Sequence, residues 1–310
     1  MKFKILVVTL FISSYIFSQK EMSQETIDFY YDIGFDMYQD IFKPSKKEFE
    51  KRALNLDSKL RTLSISKEEA IANISAFGKN ATVTLTDGDT KKVIVEGTYP
   101  EVLLNELFVT YIAIGNHTLK GNNDEPIKIL DFESSTTSGN QITISKQISS
   151  DAQYDQNASG SVTLTIRCIT DYATAKINTS DVGKTIKLNN TYKVIEIINN
   201  KLVLQLVSDE PLTYGDLNLN LISLDETGTQ ELVPTMGVST TFIDKEIYHL
   251  FKSNQIKTLE ALKDKLPVES ISNQTLKGKY IVKDLYTPIE NDIMLYGPIY
   301  GIREEIEVKL

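Results

Sequence analysis

Reactive side chains are few in this chain of 310 residues: two histidines, one cysteine and no tryptophan. His117 lies in the polar segment Gly115-Asn116-His117-Thr118, and His249 follows Tyr248 in a short helical pattern. Neither has a second histidine or a carboxylate at zinc-ligand spacing, so a zinc site would have to be assembled from distant residues. Cys168 falls in the apolar phase of the alternating run Val162, Leu164, Ile166, Cys168, where a thiol is buried and inert; alone, it cannot close an internal disulfide. No catalytic residue, cofactor or metal is expected.

Three runs approach known chemistry and stop short of it. Asn178 to Thr185 has the spacing of a phosphate-binding loop but carries Asn178 in place of the first glycine. It also leads into the strand pattern Lys184 to Leu188, whereas that loop needs a helix whose N-terminal amides hold phosphate. Ser64-Ile65-Ser66-Lys67 has the Ser-x-x-Lys spacing of penicillin-recognising enzymes without their Ser-Asp-Asn and Lys-Thr-Gly companions, and Ser66 is better used as a helix cap. Asp87-Gly88-Asp89 lacks the spaced ligands and later glutamate of a calcium loop and is read as a turn.

Carboxylates form the one ordered array. Asp28, Asp32, Asp36 and Asp40 recur every four residues, stacking like charges on one helix face at a cost of a few tenths of a kcal/mol per pair. Lys47, Lys51, Asn55 and Lys59 repeat at the same interval. If two helices fold back at Pro44-Ser45, Asp40 faces Lys47, Asp36 faces Lys51, Asp32 faces Asn55 and Asp28 faces Lys59. The expectation is an antiparallel helical hairpin with a charged seam, its aspartates offering a candidate surface for a cation or a basic partner. Tyr296 and Tyr300, beside Gly297-Pro298 and Gly301, are placed in a loop as candidate binding anchors.

The elements that position these residues follow from local pattern. Residues 1–18, with Lys2, Lys4, the apolar run Ile5 to Phe17 and then Ser18, have the form of a secretory signal. No later run reaches about 18 apolar residues, so no transmembrane segment is expected in the mature chain. Removing residues 1–18 takes the net charge from −9 to −11, which disfavours nucleic acid. Residues 19–79 are expected to form a helical module. It comprises a helix over 24–42, a second starting near 46 with the stripe Phe49, Ala53, Leu56, Leu60, Leu63, and a third from 67 to Gly78 capped by Ser66.

Residues 80–240 alternate and are expected to form an antiparallel β-sandwich or barrel, immunoglobulin-like in architecture. A meander over 184–207 turns at Asn189-Asn190 and Asn199-Asn200, since asparagine tolerates the positive φ of tight hairpins. Residues 241–310 are mixed α/β, with short helices around 247–251 and 256–266 and strands over 280–285 and 302–310. The fold class is therefore α+β and multidomain. The expected function is that of an exported, non-catalytic envelope or surface protein, periplasmic, on the outer membrane or released. It would bind a protein, itself or a cell-surface polymer. One alternative is a secreted hydrolase using a dispersed Asp/Glu pair. Another is a pore-forming protein inserting a hairpin at 133–165, with Ile142, Ile144 and Ile148 across from Val162, Leu164 and Ile166.

Overall fold

The computed structural model describes residues 24–44, 48–88, 90–208, 212, 217–234, 240–268, 270, 275–285 and 292–310. The expected signal segment 1–18, most of the Ser45 capping box and Lys47 lie outside them.

In chain order the elements begin with α1 (Gln24–Ile41), β1 (Phe49–Ala53), α2 (Leu56–Lys59), α3 (Lys67–Asn80), β2 (Thr82–Thr86), β3 (Lys92–Thr98) and α4 (Glu101–Leu104). There follow β4 (Thr110–His117), β5 (Ile129–Ser138), β6 (Gln141–Ile148), β7 (Ser161–Ile177), β8 (Thr185–Lys187), β9 (Thr191–Ile198) and β10 (Lys201–Leu206). The rest are β11 (Asn220–Leu224), β12 (Gln230–Pro234), β13 (Thr240–Asp244), α5 (Lys245–Lys252), α6 (Leu259–Lys263), β14 (Lys279–Asp284) and β15 (Ile293–Lys309). The fold is α+β, its strand pairs mostly antiparallel, and no described helix is long and apolar enough to cross a membrane.

The chain divides into two compact units. The first holds Arg61–Asp171 and Tyr300–Leu310, the second Glu21–Leu60 and Tyr172–Ile299. In the first unit one sheet runs β2-β3-β6-β5, and β4 pairs with the first part of β7. Both sets of strands feed one core: Val93 and Val95 from β3, Ile142, Ile144 and Ile148 from β6, Ile114 from β4, and Val162, Leu164, Ile166 and Cys168 from β7. Helix α3 adds Ala70, Ile74 and Phe77 along one stripe, and Ser66 accepts the Glu69 N–H at 3.1 Å as its cap. Gly78 does not stop this helix. A Cβ there would lie 2.4 Å from Ile306, so the glycine serves close packing.

In the second unit the sheet β13-β14-β10-β9-β8 contains the expected strand order β8-β9-β10, but its first turn differs: Lys187 pairs with Thr191 across a three-residue connection, and neither Asn189 nor Asn190 takes positive φ. Asn199 and Asn200 both take positive φ, 48° and 65°, as a two-residue hairpin of the mirror-image turn type requires. A further run comprises β1-β12-β11 and the start of β15, and the end of β7 also lies in this unit. Helix α1 lays Tyr31, Phe35 and Tyr38 against α5 and α6; Phe42, just past its end, stacks with Phe251 at 6.4 Å, and the Tyr31 hydroxyl donates to the Leu266 carbonyl at 2.5 Å.

Three expectations are corrected. Residues 49–53 form a strand: β1 pairs with β12 over Phe49↔Pro234 to Ala53↔Gln230, so among the described residues there is no helical hairpin and no aspartate–lysine seam. Lys51 pairs with Glu226 at 3.4 Å and Lys59 with Glu231 at 2.6 Å, and Asn55 caps the single turn α2. A ladder from distant residues outweighs the local helical stripe. Tyr296 and Tyr300 lie in a strand, because Gly297 and Pro298 are passed without a turn. A Cβ on Gly297 would lie 2.7 Å from the Asn218 carbonyl oxygen, so that glycine answers close approach, and the pairing with β11 ends at Asn220↔Tyr296, before Pro298 would have to donate. Finally, β6 and β7 form no hairpin; β6 pairs with β3 and β5, and its isoleucines meet those of β7 inside the core.

Candidate binding surface

Antiparallel register decides which side of the first unit carries its polar groups. Residues directly opposite share a face, and β4 and β7 pair Ile112 with Ile166 and Ile114 with Leu164 on the core side. The intervening pairs, Tyr111 with Arg167 and Ala113 with Thr165, therefore point outward. Tyr300 arrives from β15, so that the Arg167 guanidinium carbon lies 4.6 Å from the centre of the Tyr111 ring and 5.0 Å from that of Tyr300. Both distances are within the range of cation–π attraction. Arg167 makes no ion pair among the described residues, and its buried Nε has no hydrogen-bond partner among them.

Carboxylate and imidazole groups lie along the same strand edge. The Ile114 N–H donates to Glu133 at 2.8 Å, and Lys146 is 3.7 Å from the same carboxylate. Burial raises the Glu133 pKa, opposed by those two partners. Burial likewise raises Tyr111, with the Glu133 charge adding and Arg167 opposing. An irregularity between Ile114 and His117 sets His117 opposite Val162, toward the inside. Its Nδ1 is buried without a partner among the described residues, and burial followed by the Lys146 charge lowers its pKa. Three residues before Tyr111, Phe108 is 84% exposed, with the Arg61 guanidinium 5.8 Å from its ring centre.

The residues expected to form a surface are dispersed. On α1, Asp28 bonds Lys263 of α6 at 2.6 Å, which lowers its pKa, and Asp40 pairs with Lys43 at 3.2 Å. Asp32 and Asp36 are exposed on the same helix. Tyr296 belongs to the second unit, half-buried 6.0 Å from Tyr172, and Tyr300 belongs to the first. Of the six, Tyr300 alone enters the arginine stack. Cys168 lies in the core as expected, its thiol pKa raised by burial. The Asn178 segment is a capping box on a short turn leading into β8.

In the second unit, His249 is exposed at a shallow depression of about 560 Å³ lined also by Glu246, Leu250, Lys252, Ser253 and Gln255. Glu196 accepts from Tyr248 at 2.6 Å and from Lys252 at 2.5 Å. This arrangement fixes helix α5 on its sheet, and His249 lies edge-on to the Tyr248 and Tyr280 rings with a 3.4 Å contact to the Tyr280 hydroxyl. Among the described residues no group of three His, Cys, Asp or Glu side chains is placed to hold a metal.

Sequence reasoning missed Arg167, Tyr111 and Phe108. The signal was present for one of them: the alternation that sends Cys168 inward sends Arg167 outward. Comparison with protein-family models, curated proteins and solved structures finds no match.

Proposed function

We propose that this chain is an exported, non-catalytic protein of the cell envelope or surface that binds a protein partner through the outer face of its first unit. The observation that carries this reading is Arg167 held against the rings of Tyr111 and Tyr300, with the 84% exposed Phe108 in the turn three residues before Tyr111. Exposed aromatic rings with an ordered arginine have the composition of protein-binding hot spots, and a phenylalanine left in water gains most by entering a partner's apolar pocket. Export rests on Lys2, Lys4, the apolar run Ile5 to Phe17 and Ser18. We read the first unit as a β-sandwich of immunoglobulin-like architecture, because strands of both of its sheets feed one core.

A photo-crosslinking residue at position 108, expressed in native cells, tests the reading. The expected result is one adduct of defined mass that is absent when the crosslinker replaces the exposed Lys128. No adduct at 108 in a folded protein, or turnover of a glycan panel abolished by a single Asp or Glu substitution, overturns it.

A further inference from the structure

We infer that Arg167, held against the rings of Tyr111 and Tyr300, is the receptor for a carboxylate on an acidic segment of the protein partner; this rests on the reading that the partner binds this face. A guanidinium is charged at every working pH, and a partly buried charge without a counter-ion is costly. Arg167 has no ion pair among the described residues, and its Nε is buried without a hydrogen-bond acceptor among them. The nearby carboxylate does not serve, because Glu133 is engaged by the Ile114 N–H and by Lys146.

Geometry selects the shape of the missing anion. The Tyr111 and Tyr300 ring centres lie 4.6 and 5.0 Å from the guanidinium carbon, and the terminal nitrogens, unlike Nε, are not among the buried atoms without a partner. The planar guanidinium fork matches two oxygens of one carboxylate in the same plane. The rings also hold the arginine in place, so little side-chain freedom remains to be lost on binding. The chain's net charge of −9 does not forbid an acidic partner: exposed charges are screened beyond about 8 Å at physiological salt, and the first unit carries Lys146 beside Glu133 and Arg61 beside Phe108. Phe108 favours a peptide over a sugar polymer or a free anion, since a ring 84% exposed needs an apolar pocket to bury it.

The test uses the full chain with poly-L-glutamate as probe, and polygalacturonate and inorganic phosphate as separate arms. In the ¹⁵N-labelled wild type the four arginines give four Nε–H signals, and the expected result is that poly-L-glutamate shifts the one that disappears in Arg167→Lys. Arg167→Lys keeps the charge and loses the fork, so affinity for the probe drops by about tenfold or more. Arg303→Lys, which alters an exposed arginine paired with Glu305 at 3.1 Å, leaves it unchanged. The wild-type titration decides the matter even where Arg167→Lys is poorly folded. No Nε–H shift at saturating probe, an equal response to polygalacturonate or phosphate, or unchanged affinity in a folded Arg167→Lys overturns the inference. A position-108 adduct in cells together with a silent Arg167 signal sinks the carboxylate receptor and leaves the binding face standing; loss of both sinks both.

Discussion

His117 and Lys283 are two ionisable side chains kept from water, and each makes the folded state sensitive to pH in a definite direction. The neutral form of His117 is favoured in the fold, so between its lowered pKa and the ordinary 6.5 the unfolded chain binds more protons than the native one. Its contribution to stability therefore falls as pH falls through 6.5. Urea unfolding at pH 7.5 and 5.5 is expected to show a steeper acid loss for the wild type than for His117→Gln, and equal losses would contradict the burial argument. Lys283 donates to the Leu219 carbonyl at 2.7 Å, but burial pushes its pKa down to about 8. Below that value the charge is held at a cost that the single hydrogen bond offsets only in part. Lys283→Met is expected to stabilise the fold by about 1 kcal/mol at pH 7. That gain shrinks as pH rises from 8 toward 10.5, where the native lysine is already neutral and the unfolded one still charged.

At the scale of elements, local signals served at Asn199-Asn200 and failed at Asn189-Asn190, where neither asparagine takes positive φ. The turn Asn199-Asn200 announces itself because few residues tolerate positive φ. Its two asparagines nevertheless do different work, since the Asn199 side chain donates to the Phe42 carbonyl at 2.7 Å. Asn200→Gly is expected to be neutral or stabilising by about 0.5 kcal/mol, whereas Asn199→Gly costs about 1 kcal/mol through the lost hydrogen bond. Thermal melts of the two variants check the asymmetry, and equal effects would refute it. The cap at Ser66, the helices α1 and α3 and the burial of Cys168 were legible for the same reason. Strand β1 was not. Its apolar spacing suits a helix, and only pairing with Gln230–Pro234, together with Glu226 and Glu231 meeting Lys51 and Lys59, makes it a strand. Glycine misled twice: Gly78 and Gly297 suggested ends, although each admits a neighbouring atom where a Cβ would not fit. At the candidate site, alternation could have exposed Arg167, but nothing near it in sequence foretells that Tyr300 joins it.

For the whole molecule the division of the chain matters most. Residues 300–310 supply Tyr300 to the stack and Ile302 and Val308 to the first unit's core. Deleting them is expected to abolish amide protection in β3, β6 and β7 while leaving β9, β10 and β14 protected, as hydrogen exchange would show. Uniform loss, or no loss, would contradict the independence of the two cores. The same arrangement bears on when the protein can fold. Val308 must leave the ribosome before the first core is filled, so most of that unit is synthesised without its closing strand. Were the chain exported, as we propose, it would have to stay threadable until it reached a translocation channel. Here the delay is written into the order of the residues: a core that begins with Ala70 waits for Val308 before it can close.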